Sequence, residues 1–302
     1  VDPTIRWLED DLQAAHANIV QYLWHAYRFG EGELAAELEE IAREEMRHLW
    51  WLAETIVRRG GDPSLARGPL VRQDTAAGFL RWAVSREEAD LERCRQHRDQ
   101  TTDPAVRLVL DRVIADEVHH RQAFQELLTA VENGTLTLAP RPATVPDGLA
   151  ETVALLNQAI RFEYTAVLQY LYQSFFVTTD CDLYRELFNT QAQESMKHLG
   201  WLAETVAALG GEPLLEFDPI DRGRDPARFL AINLRLEEEA VRLYREWLPR
   251  LADPRARAVM ERIYAQEQHH VREFQLLHQP TSAGLTVGSL FGRPQWENEE
   301  HR

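Results

Sequence analysis

The sequence predicts an all-α protein: two tandem four-helix bundles related by internal duplication. Three observations carry this reading. First, the chain repeats itself: MRHLWWLAET from Met46 returns 150 residues later as MKHLGWLAET from Met196, and Glu117 with His120 returns as Glu267 with His270. Second, apolar residues recur at three- and four-residue spacing, as in Ile41, Leu49, Leu52 and Ile56. Third, no segment alternates apolar and polar residues as a half-buried strand would.

In the first repeat the pattern places helices near 4–29, 32–59, 75–99 and 104–132. The first carries QYLWHAYRF from Gln21, matched by QYLYQSFFV from Gln169 at an offset of 148, so the second repeat has two extra residues between its first two helices. Gly60-Gly61 ends the second helix, because glycine takes the left-handed conformation that closes a helix. The connection through Asp74 is long and the other two are short, which is one crossover rather than a plain up-and-down bundle. Asp103-Pro104 starts the fourth helix, with Asp capping and Pro at the first helical position. The expected division is a first bundle at 1–133, a linker at 134–148, a second bundle at 149–279 and an irregular tail at 280–302. The linker rests on the Pro- and Gly-rich run NGTLTLAPRPATVPDG.

Composition narrows the function. Asp and Glu number 49 against 33 Lys and Arg, a net charge of −16. That argues against nucleic acid, which calls for a basic surface, and against an anionic membrane surface. No apolar run approaches the ~18 residues of a membrane span, and the start shows no basic-then-apolar leader. The two cysteines, Cys94 and Cys181, form no Cys-x-x-Cys pair. A reducing, cytoplasmic setting is expected.

The chemistry lies in Glu-x-x-His. Residues three apart share a helix face. Two such pairs on facing helices, with one Glu from each remaining helix, make a pocket for two metal ions in which carboxylates bridge and imidazoles cap. Coordination would offset the several kcal/mol that each unpaired buried polar group costs. The first repeat offers Glu45 and His48, Glu87, and Glu117 and His120, but Ala15 stands where the first helix should give Glu. The second offers Glu163, His198, Glu237, and Glu267 and His270, but Ser195 stands three before His198. Each repeat thus keeps five of six ligands and lacks a different one. Two readings stay open at each gap. Either a neighbour compensates (His16 or water for Ala15, Glu194 for Ser195), or the site holds a single ion or none. Losing a bridge loosens a pair more than losing a terminal carboxylate, so the first repeat is expected to keep a bridged pair. His119 and His269 point about 100° away from the ligand face. Tyr22 and Tyr170 point toward the sites by phase and are the candidate catalytic residues; the plainer reading is a buried aromatic with a bonded hydroxyl.

With QYL after Glu163, MKH or MRH, and Glu-x-x-His in both halves, each repeat resembles the ferritin-like di-iron proteins, bacterioferritin and rubrerythrin above all. The resemblance spans both repeats. It implies di-iron or mixed iron/manganese chemistry with O2 or peroxide, of the ferroxidase or oxidoreductase kind, with a separate electron donor. It implies that Glu45, Glu117 and Glu267 bridge, that Glu87, Glu163 and Glu237 are terminal, and that His48, His120, His198 and His270 cap. It also implies that Met46 and Met196 match a haem-binding Met at a twofold interface; plain packing by an adaptable side chain is the stronger reading. An internal pseudo-dimer, and a homo-oligomer of it, follow from the same resemblance. The alternative function is metal sequestration, or a structural role with degenerate sites.

Overall fold

The structure, a computed structural model, describes residues 2–30, 32–136, 138, 141–142, 144–177 and 182–278. The expected tail at 280–302, part of the linker and the two-residue insertion before the sixth helix lie outside these. The described elements are helical: α1 Pro3–Phe29, α2 Glu33–Arg58, α3 Ala76–Gln100, α4 Pro104–Glu132, α5 Ala150–Phe176, α6 Asp182–Ala208, α7 Pro226–Trp247 and α8 Pro254–His278, with a 3-10 turn at Leu248–Arg250 before α8. No strand occurs among the described residues, and no helix there is long and apolar enough to cross a membrane.

Local chemistry sets the helix ends. Asp2 caps α1 by accepting the Thr4 N–H, Thr75 caps α3 by accepting that of Gly78, and Asp103 caps α4 by accepting those of Ala105 and Val106. The expected helix boundaries differ from these by one residue at most. The α2 stop is a paired device. Gly60 at φ 77° donates to Val57 and Gly61 to Ile56, and Gly210 at φ 76° donates to Ala207 and Gly211 to Val206. A Cβ on Gly61 would meet the Ile56 side chain at 2.6 Å, so the second glycine is required by space as the first is by its positive φ.

Contacts divide the chain into two units, 1–161 with 199–217, and 162–198 with 218–302. The division falls inside α5 and α6 rather than at the linker. In the first unit α1 packs on α2, α3 on α4, α1 on α3 and α2 on α4; in the second α7 packs on α8. The crossover after α2 is tied back to α1: Gln21 donates to the Pro69 carbonyl and His16 to that of Leu65, while the Gln73 N–H reaches His25 Nε2. In the second unit Gln169 repeats the role of Gln21, donating to Asp221 O at 3.0 Å and accepting from Asp221 N–H at 2.7 Å. The Gln of each QYL therefore fastens the long connection, and the Tyr beside it faces inward.

Candidate metal centres

In the first unit Glu45 and His48 from α2, Glu87 from α3, and Glu117 and His120 from α4 are all buried. Oxygen and nitrogen atoms of Glu45, Glu87, Glu117 and His120 lie within 4.8 Å of one another. His120 Nδ1 is 3.7 Å from Glu117 Oε2, 3.9 Å from Glu87 Oε2 and 4.0 Å from Glu45 Oε1. Glu87 Oε2, Glu117 Oε2 and His120 Nδ1 are buried and lack a hydrogen-bond partner. Buried polar atoms left so in a native protein call for an ion or an equivalent partner. His48 stands at the edge of this group, its Nδ1 3.3 Å from Glu45 Oε2 and 3.6 Å from Glu117 Oε1.

In the second unit the five donors fall into two groups of three that share Glu267: Glu163, His198 and Glu267, and Glu237, Glu267 and His270. His198 Nδ1 lies 2.7 Å from Glu267 Oε1 and 3.4 Å from Glu163 Oε2. His270 Nδ1 lies 3.1 Å from Glu267 Oε2 and 3.5 Å from Glu237 Oε2.

Four residues hold the imidazoles from behind; sequence reasoning missed Asp116, Glu44 and Gln266 and named the fourth, Glu194, as a substitute ligand for Ser195. His48 Nε2 meets Asp116 Oδ2 at 3.2 Å, His120 Nε2 meets Glu44 Oε2 at 2.7 Å, His198 Nε2 meets Gln266 Oε1 at 2.9 Å and His270 Nε2 meets Glu194 Oε2 at 2.5 Å. Each is the residue just before the first position of a Glu-x-x-His or Ser-x-x-His, and it serves the histidine of the facing helix. That position was a readable signal. An acceptor on Nε2 keeps the proton there and turns the Nδ1 lone pair inward, as a metal-binding imidazole requires. Glu194 thus sits behind His270 rather than among the converging groups.

Tyr22 donates to Glu87 Oε1 and Tyr170 to Glu237 Oε1, both through short contacts. In the second unit alone, Tyr244 donates to Glu163 Oε1 at 2.5 Å. His16 is buried, but its Nδ1 is engaged with Leu65 O at 2.8 Å, and it joins no metal-capable group among the described residues. Ala15 and Ser195 are both buried. Met46 and Met196 are half-buried on α2 and α6.

The pocket electrostatics are those of crowded acids. Burial, and then the Glu117 charge, push Glu45 and Glu87 above the usual carboxylate range. Burial, and then Glu267, do the same to Glu163 and Glu237. Burial alone would raise Glu117 too, but the Glu87 carboxyl and the two histidines beside it pull it to about 2. Burial opposes charge on His48 and His198, yet the surrounding carboxylates raise both to about 10. Burial and one another's charge thus drive buried carboxylates in both pockets toward their protonated forms.

The ferritin-like domain model matches the chain twice, over residues 6–133 and 153–282. The chain belongs to the ferritin-like domain family. The bacterioferritin of Rhodobacter capsulatus is 30% identical to it over 131 residues, 41% of this chain and 80% of that protein. A solved structure of that bacterioferritin, described with a metal-free dinuclear site and a haem iron in a crystallographic special position, aligns at 26% identity and a TM-score of 0.41, covering 45% of this chain and 86% of its own. The double family match establishes the tandem ferritin-like architecture read from the duplication, and carboxylate–histidine groups in both repeats are candidate metal sites.

Proposed function

We propose that this tandem ferritin-like chain is a metal-dependent oxidoreductase of the ferroxidase kind, holding iron, or iron with manganese, in both pockets. The observation that carries the reading is the convergence of unpartnered buried atoms, Glu87 Oε2, Glu117 Oε2 and His120 Nδ1, on one point in the first repeat. Carboxylate and imidazole are donors that suit iron and manganese. When bound, such ions supply one-electron chemistry toward O2 or peroxide.

The chain's own residues prepare for that chemistry. Glu117 and Glu267 each turn one oxygen toward each histidine of their pocket, so each would hold ions on both sides. Glu44, Asp116, Glu194 and Gln266 fix the imidazole rings. The Tyr22 and Tyr170 hydroxyls hold Glu87 and Glu237 by one oxygen and leave the other free for an ion. Bulky apolar neighbours, Phe79 and Phe124 against Tyr22 and Phe274 against Tyr170, keep bulk water from these carboxylates.

We place this function in a reducing, cytoplasmic compartment, supported by a buried free thiol at Cys94. It works with an external electron donor and in a homo-oligomer, as the bacterioferritin likeness suggests. Haem at Met46 or Met196 has no comparable support from the chain's geometry.

The test is stopped-flow absorbance after mixing anaerobic, ferrous-loaded protein with O2 or with peroxide. Oxidation within seconds at stoichiometric iron is expected. Tight binding without faster oxidation than free ferrous ion would replace this reading with sequestration.

A further inference from the structure

Two fully buried amides of the second repeat lack partners. Gln173 Nε2 and Oε1, and Asn233 Nδ2 and Oδ1, make no hydrogen bond among the described residues. A third amide, Gln191 on α6, is also buried; its Nε2 reaches Glu273 Oε2 at 3.4 Å and its Oε1 makes no such bond. The register of α5 and α7 sets the first two at one level. Tyr170 on α5 meets Glu237 on α7, and Glu163, seven residues back on α5, meets Tyr244, seven residues on along α7. The two helices therefore run antiparallel. Gln173 and Asn233 stand level, on the same faces as Tyr170 and Glu237 and one turn from them. Beyond them Val177 and Phe229 belong to an apolar core with Phe188 and Phe274.

At the matching positions the first repeat is satisfied or apolar, with His25, Ala83 and Ile41 for Gln173, Asn233 and Gln191. His25 uses both ring nitrogens, on Gln21 O and the Gln73 N–H, and stacks on Phe79 with ring centres 4.0 Å apart. In the second repeat the N–H of Gly223, which matches Gln73, goes to Asp221 Oδ1 instead. Gln173 thus lacks the crossover contact that occupies His25. Buried polar groups without partners are few in native proteins, and a bound molecule is the usual answer to them.

The chemistry of the amides selects that molecule. Each offers N–H donors and a C=O acceptor and carries no net charge. Two at one level suit a neutral partner that donates and accepts at once. A cation would meet the N–H groups, an anion would meet the Glu237 carboxyl one turn away, and dioxygen has no hydrogen to donate. We propose that Gln173 and Asn233 bind a small neutral hydroxylic molecule beside the metal pocket of the second repeat alone. Water and hydrogen peroxide share that chemistry. Resting on the reading of this pocket as a metal centre, the site gives the second repeat a preference for peroxide over dioxygen that the first repeat lacks.

Crystals of the metal-free full chain test the site without any metal. An ordered oxygen within hydrogen-bond reach of both Gln173 and Asn233 is expected, with none between His25 and Ala83. It should be absent from Asn233→Ala, which copies Ala83; if that variant does not fold, the wild-type density decides alone. Amides bonded directly to each other, or no density between them, would overturn the proposal. Soaking in hydrogen peroxide separates the two sources. Two joined oxygens in place of one identify peroxide, while one unchanged oxygen identifies water and overturns the peroxide preference. In solution, ferrous-loaded Asn233→Ala should lose about tenfold more rate with peroxide than with O2, the scale of one lost hydrogen bond. Equal losses would overturn the peroxide preference and leave the hydroxylic site in place. No oxidation by either oxidant in wild type would overturn the metal reading, and the crystal density would still decide the site.

Discussion

A histidine can ligate a metal through either ring nitrogen, and which one is free depends on what holds the other. Here a residue on the facing helix decides it four times over. Three of the four holders are carboxylates and the fourth is the amide of Gln266, so an amide oxygen suffices as acceptor. This predicts an uneven pair of outcomes at Glu194. Glu194→Gln should leave metal affinity in the second repeat within about threefold, because the amide still accepts the Nε2 proton. Glu194→Ala should weaken it roughly 10- to 100-fold, the usual cost of losing a partner behind a ligand. Competition with a chromophoric chelator measures both; equal loss in the two variants would mean that Glu194 acts through its charge or as a ligand itself. The candidate ligand residues were legible one by one from Glu-x-x-His spacing and repeat register. Of the holders only Glu194 stands out in the sequence, and as a ligand in place of Ser195; a polar residue beside a motif on an amphipathic helix otherwise reads as solvated surface. Glu44 and Glu194 are in fact only half-buried.

At the scale of elements, caps and crossovers fix the helices that deliver these side chains. Asp103 accepts two backbone N–H groups at the start of α4 and also pairs with Arg59 from the end of α2. Asp103→Ala should cost about 1 kcal/mol of unfolding free energy, the typical value for a lost N-cap, measured by chemical denaturation. The crossover after α2 hangs partly on His25. Its Nδ1–H donates to Gln21 O at 2.7 Å, its Nε2 accepts from Gln73 N–H at 3.2 Å, and its ring stacks on Phe79. Both nitrogens are used by the neutral ring, and burial lowers its pKa from 6.5 to about 4. Between those values the unfolded chain takes up a proton that the folded chain refuses. Its contribution is therefore full above pH 6.5 and falls as the pH drops, by about 2 kcal/mol at pH 5. His25→Gln, copying the matching Gln173, should remove that share of the pH dependence. An unchanged difference between denaturation at pH 7 and at pH 5 would contradict the assignment. The helices themselves were legible almost to the residue, because Asp-Pro and Gly-Gly mark ends by local stereochemistry. The fastening of the crossover was not, since His25, Gln21 and Gln73 meet only through tertiary packing.

At the scale of the molecule, duplication allows one site to drift while the other is kept. The sequence showed that each repeat lacks one ligand, and reasoning from bridges favoured the first repeat as the retained pair. In the geometry Glu117 turns one oxygen toward each of His48 and His120, as Glu267 does toward His198 and His270, and Asn18 links Glu45 to a polar network of Asp90, Arg93 and Asp11. That network was hidden because it needs α1 and α3 side by side: Asp11, Asn18, Asp90 and Arg93 are unremarkable alone on their helices. Metal binding should also stabilise the whole chain, since the buried acids repel until neutralised. At free metal a hundredfold above Kd the gain is about 2.7 kcal/mol per site, so chelation should lower Tm measurably. An unchanged Tm would indicate pockets filled only by protons.

The central claim is that ions occupy both pockets. Anomalous diffraction at the iron edge, on crystals of the full chain loaded with ferrous ion without oxygen, tests it most directly. The account predicts anomalous peaks among Glu45, Glu87, Glu117 and His120 and beside Glu267. Iron-loaded crystals with no anomalous peak in either pocket would contradict it.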